Sequence, residues 1–146
     1  MKELLEAVVS ALKARGDFGD RVFITEAQEF VPPGLKTPAA GVKDGVVVSE
    51  DLTGGRRLET LEVHVFVYGE AVLPGQALLG AAGSSKPGVL ALAGKVRAIL
   101  DHNLLTMGPG NLVSARVKEI GESISWQEPA RVLTSKYLTL VYEREN

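Results

Sequence analysis

The stretch R-L-E-T-L-E-V-H-V-F-V-Y, Arg57 to Tyr68, constrains the fold more than any other. Leu61, Val63, Val65 and Val67 fall on one side of an alternating pattern, and Thr60, Glu62, His64 and Phe66 on the other. Period-2 alternation of that length specifies a β-strand with one dry face and one mixed face. Such a strand needs an apolar layer across its dry side. The helix predicted at Val89 to Leu105 supplies it, through Val89, Leu92, Val96, Ile99 and Leu100.

Elements before the central strand follow the same logic. Lys2 to Arg15 places Leu4, Leu5, Val8, Val9 and Leu12 on one helical stripe, and Gly16 suits the residue just past its end. Arg21 to Thr25 reads as a short strand. Glu26 to Glu29, followed by Pro32, Pro33 and Gly34, reads as an exposed connection. Thr37 to Gly41 leads into a strand at Val42 to Ser49, with a turn expected at Asp44-Gly45. Glu50 to Arg57 then forms a hairpin whose polar tip projects from the body, because Gly54-Gly55 supplies positive φ at low cost.

Beyond the central strand, Gly69 to Gly88 has no clear period and reads as a long connection, ordered only in an assembled particle. Asp101 to Asn111 reads as a helix end and loop. Leu112 to Ile120 alternates as a strand, Gly121 to Ala130 carries the only tryptophan, and Val132 to Glu143 is the closing strand. The expectation is one α+β domain over residues 1–146, a mostly antiparallel sheet with two main helices packed on one face.

At 146 residues the chain can bury one sizeable core. A net charge of -2 and a pI near 5.7 give no basic footprint for nucleic acid. The absence of cysteine removes disulfides and thiolate metal sites. No apolar run reaches the roughly 18 residues of a membrane span, and the acidic start is unlike a signal peptide, so synthesis is expected to be intracellular.

Sets of reactive groups are incomplete. His64 and His102 are the only imidazoles, which disfavours a structural zinc site; His64 is one position in a regular strand and His102 sits near a helix end. G-S-S-K-P at Gly83 to Pro87 lacks the Gly before and the Ser or Thr after the Lys that a phosphate loop needs. Ser10 to Lys13 matches S-x-x-K without its companion elements and belongs to the first helical stripe. Asp20, Glu26, Glu29, Glu50 and Asp51 read as solvated loop acids. Trp126 is either a contact residue or a side chain packed on its own sheet. No catalytic residue, metal site or cofactor is expected.

The order of elements, with T-P-A-A-G-V at Thr37 to Val42, the strand at Leu58 to Val67 and the closing T-S-K-Y-L-T-L-V-Y-E at Thr134 to Glu143, resembles the tail terminator and minor tail proteins of long-tailed phages. The resemblance covers nearly the whole chain. It implies an α/β sandwich with helices on one side of a sheet, and a ring, usually of six subunits. Such a ring sits on the last layer of the tail tube, stops its growth and offers a surface to the head connector. The implied place is the virion tail, and the host cytoplasm during assembly.

A closed ring needs two different complementary patches per subunit. Leu52, Val72, Leu73, Leu78 and Leu79 are the expected apolar contacts with neighbouring subunits or the tube, and Trp126 joins them as an interface candidate. Arg56 and Arg57 would pair with a neighbour's acids, line a lumen through which DNA passes, or stay solvated at the tip. Two other readings stand beside this one. A head-tail joining or tail-completion protein would share the fold. A small α/β enzyme or ligand-binding domain would use Glu62, His64 and Tyr68, which share the mixed face of the central strand.

Overall fold

The computed structural model describes residues 1–15, 17–71, 88–105, 112–129 and 131–145. In chain order the elements are helix α1 (Lys2–Arg15), strands β1 (Val22–Ile24), β2 (Ala39–Asp51) and β3 (Arg57–Ala71), helix α2 (Val89–Leu100), and strands β4 (Leu112–Glu128) and β5 (Arg131–Glu145). The strands form one sheet in the order β1-β2-β3-β5-β4. Only the β1·β2 pairing is parallel; the other three are antiparallel. The expected α+β class is therefore the observed one.

Alternation along β3 decides where the core lies. Leu61, Val63, Val65 and Val67 are buried under both helices, together with Ala40 and Val42 of β2 and Leu138, Leu140 and Tyr142 of β5. From above, α1 contributes Leu4, Val8 and Leu12, and α2 contributes Val89, Leu92, Val96, Ile99 and Leu100. Each such side chain fully removed from water is worth about 1.5–3 kcal/mol, so this layer is the main source of stability. α1 lies against β1 and β2, while α2 crosses β3, β5 and β4.

Five expectations are corrected. Helix α2 ends at Leu100 and not at Leu105, because the chain bends at Asp101 and His102 takes a positive φ of 58°. The turn expected at Asp44-Gly45 is instead a bulge: β2 runs on to Asp51 with a register shift between Asp44 and Val47. Strand β3 continues through Gly69 to Ala71, pairing with β5, so the connection begins later than its glycine content suggested. Strand β4 continues past Ile120 to Glu128, its alternation broken by three register shifts against β5. Those shifts put Leu112 and Ala115 both into the core, which strict period-2 counting places on opposite faces.

The fifth concerns the second face of the sheet. Residues 23–38 fold across part of it and bury a smaller core of Leu35, Ala39, Phe66, Tyr68 and Leu133, with Phe23, Val31, Trp126 and Tyr137 packed at its margin. The segment read as an exposed connection does expose Glu26, Glu29, Pro32, Pro33 and Gly34, but it is also pinned to the sheet: Tyr68 donates to the Gln28 carbonyl at 2.7 Å and the Gln28 amide to Ser135 Oγ at 3.0 Å. Arg131 bridges Glu70 and Glu128 and donates to the Leu35 carbonyl. Burial alone would lower the pKa of that guanidinium, but its two hydrogen-bonded carboxylates outweigh burial and raise it.

Candidate assembly interface

The hairpin between β2 and β3 is closed by Leu52 N–H donating to the Arg56 carbonyl at 2.7 Å, across Gly54 and Gly55 at φ of 84° and 75°. Any side chain would be strained at both glycines, so the tip stays narrow. Arg56 donates to Glu145 Oε1 at 2.7 Å, tying the tip to the end of β5, and Arg57 donates to Asp51 Oδ1 at 3.2 Å. Asp51, Arg56, Arg57, Gly55 and the half-buried Leu52 line a shallow concavity. The expected arginines therefore have partners inside the subunit. Exposed pairs of this kind contribute at most about 1 kcal/mol, so their exchange for a neighbour's acids costs little.

The other expected contacts divide. Val72, Leu73, Leu78 and Leu79 lie outside the described residues, as do Gly16 and the G-S-S-K-P stretch. Trp126 stands edge-on to Tyr68, with centroids 6.4 Å apart and planes at 84°, and Tyr68 in turn stacks on Phe23 at 5.7 Å. Its indole is partly buried, so the packing role and an accessible edge coexist.

The three residues of the pocket reading are not brought together. Glu62 and His64 lie on the open half of the second face, where His64 Nδ1 is 3.1 Å from Thr139 Oγ1 and Glu62 pairs with Lys118 at 3.0 Å. Partial burial holds the His64 pKa below its ordinary 6.5, against the nearby Glu62 charge. Tyr68 is fully buried under residues 23–38, and burial, aided by the Glu29 charge, pushes its phenol above the usual range. Among the described residues no group of three His, Asp or Glu side chains is placed to hold a metal ion. None of their helices is long and apolar enough to cross a membrane.

One feature escaped the sequence reading. Strand β1 covers β2 only as far as Val42, so among the described residues the half from Lys43 to Asp51 has no strand on its outer side. Val46, Val47 and Val48 are 59%, 45% and 55% exposed there. The signal was in the V-V-V run itself, since consecutive residues of a strand cannot all face one core. At the opposite end of the sheet, β4 is partly capped: His102 N–H donates to the Ala115 carbonyl at 3.0 Å, and Val117 N–H to Asp101 Oδ1 at 2.9 Å.

No protein-family model matches this chain, and no curated protein does. Among solved structures, it is similar to a chain of a structure described as the virion of a native gene transfer agent particle. The TM-score is 0.65 and the identity 18%, over 99% of this chain and 96% of that one. At that identity the likeness shows a shared fold across the full length of both chains.

Proposed function

We propose that this protein is a structural component of a phage-type virion, and specifically a tail terminator. Copies close into a ring, usually of six in such proteins, which caps the tail tube, halts its polymerisation and presents a joining surface to the head connector. DNA would pass through the lumen without sequence-specific binding. The carrying observation is the fold likeness to a chain of a virion structure over 99% of this chain and 96% of that one. The terminator assignment within the virion draws on the order of elements and the Thr37–Val42, Leu58–Val67 and Thr134–Glu143 stretches described above.

The role is non-enzymatic, resting on matched surfaces. Its supports are a hairpin tip with exchangeable ion pairs, a β2 edge that the other described strands leave open beside three exposed valines, and the separation of Tyr68 from Glu62 and His64. The test is an elongation assay with a tail-tube protein from the same source. Added during polymerisation, the protein is expected to shorten the tubes and to sit at one end. Tubes of unchanged length, with this chain bound only to connector or portal-side protein, would instead identify a head-tail joining or tail-completion protein.

A further inference from the structure

Strand β1 leaves β2 early, and the hydrogen bonds on either side of that point fix what the rest of the edge offers. Ala40 N–H donates to the Arg21 carbonyl and Thr25 N–H to the Val42 carbonyl, so before the bulge Ala40 and Val42 turn their backbone groups toward β1. Beyond the bulge the phase changes. Leu52 N–H donates to the Arg56 carbonyl, and counting back through the antiparallel register puts Glu50 and Val48 in bonds to β3. The N–H and C=O groups of Val47, Ser49 and Asp51 therefore point away from β3, with no strand partner among the described residues. We infer that this edge, Val46 to Asp51, takes up an extended segment of a different protein, apolar where it passes Val46 to Val48 and carrying lysine or arginine where it passes Glu50 and Asp51.

Side chains on both faces of the edge select the same segment. On the helix side Val47 is followed by Ser49 and Asp51, level with Leu61, Glu59 and Arg57; on the other side Val48 is followed by Glu50, level with Thr60 and Leu58. An added strand meets a valine first and an acid nearer the hairpin on either face, and opposite charges side by side on one face are favourable. Glu50 has no ion-pair partner among the described residues, and the pair that Asp51 makes with Arg57 leaves the Asp51 side chain 84% exposed. The apolar surface resumes where β1 ends, at Ile24 and Phe30, 57% and 64% exposed. Ile24 is level with Val42, and Thr25 Oγ1 donates to the Phe30 carbonyl at 2.7 Å.

A free edge that is not meant to pair is usually blunted by proline, lysine, bulges or a covering loop. The open stretch of β4, Glu119 to Glu128, is broken by a register shift between Ile120 and Ser123 and begins at another. Val46 to Asp51 has no proline, no lysine and, from Val47 on, no shift. A second copy is a poor occupant. The two open stretches lie at opposite ends of the sheet, and that of β4 carries Glu119, Glu122 and Glu128 without a lysine or arginine, so joining them sets acids near Glu50 and Asp51. Pairing the β2 edge with itself about a twofold axis, centred on Ser49, puts Asp51 beside Val47 and Glu50 beside Val48, which leaves both acids without a cation.

The site does not depend on the terminator reading, and its test is separate from tube capping. The probe is a synthetic peptide of three valines alternating with two threonines, with a pair of lysines at each end, titrated into the isotope-labelled protein. Saturable binding is expected, with amide shifts centred on Val46 to Asp51 and hydrogen exchange slowed at Val47, Ser49 and Asp51. The same peptide with glutamate for lysine is expected to bind about tenfold more weakly or worse. Ser49→Pro removes an outward N–H that β3 does not use, so it is expected to keep its melting temperature and weaken binding about tenfold or more. Glu50→Lys is expected to narrow the difference between the two peptides. No saturable binding of the lysine peptide, equal binding of both peptides, or shifts centred elsewhere would overturn the inference. So would slowed exchange at Val47, Ser49 and Asp51 as the protein alone is concentrated, which would put a second copy on the edge. Failure to cap tubes, with peptide binding intact, would refute only the terminator reading.

Discussion

Gly121 is buried on β4 beneath the Tyr137 ring, and a Cβ there would come within 2.0 Å of that ring. The strand is irregular at this point, with a register shift between Ile120 and Ser123, so the aromatic fills space that a side chain would otherwise occupy. Gly121→Ala should therefore displace Tyr137, break its hydrogen bond to Glu119 and cost about 1–3 kcal/mol by chemical denaturation. In a Tyr137→Ala background the cost should vanish, and persistence there would show that backbone strain is responsible instead. At His64 the folded-state pKa lies below the ordinary 6.5. The unfolded chain thus binds more protons in the window between the two values, and stability falls as pH drops from above 6.5 through the folded pKa. Thermal melts of His64→Gln should lose that part of the acid sensitivity, and an unchanged difference from the parent would refute the assignment. Tyr142 carries a buried hydroxyl without a hydrogen-bond partner among the described residues, and burial raises its pKa. Tyr142→Phe is expected to be neutral or to raise the melting temperature, because no bond is lost and a desolvation penalty is removed.

Among the elements, β3 and α2 were legible because each obeys one period and faces one core. Leu61 to Val67 and the stripe of Val89, Leu92, Val96, Ile99 and Leu100 could be placed from spacing alone, although spacing carried the helix on to Leu105. Strand β4 was half legible: its register shifts put Leu112 and Ala115 on the same face, and a bulge leaves no mark in an alternation count. Residues 23–38 misled for another reason. Their exposed Glu26, Glu29, Pro32 and Pro33 dominate the composition, while the contacts that fold the segment inward, from Val31 and Leu35, are too few to make a pattern. The hairpin that carries Leu52, Arg56 and Arg57 was legible from its glycine signal, but the stretch of the β2 edge that the other described strands leave open was not. Edge status depends on how far a distant strand reaches, and β1 stops opposite Val42. The two classes of element should respond differently to truncation. Leu92→Ala in α2, fully buried, should cost about 2–5 kcal/mol in denaturant melts. Arg56→Ala and Arg57→Ala at the tip should each stay within about 1 kcal/mol of the parent while altering assembly. A large stability loss at the tip would mean that its ion pairs hold the fold and are not exchangeable.

For the whole molecule, the described residues form a helix-covered core on one side of a sheet and a second side of which they cover half, and they leave one edge open for part of its length. Within the described residues, the polar groups sort into ion pairs at the rims and a few buried hydrogen bonds that fix residues 23–38, not into a converging reactive set. The fold matches that of a chain in a virion structure over 99% of this chain. The most direct measurement of the central claim is cryo-electron microscopy of tail tubes grown in the presence of this protein. The account predicts a single closed ring of this chain on one tube end, with the hairpin tips buried between neighbours. Tubes with bare ends, beside a protein that stays monomeric at every concentration, would contradict it.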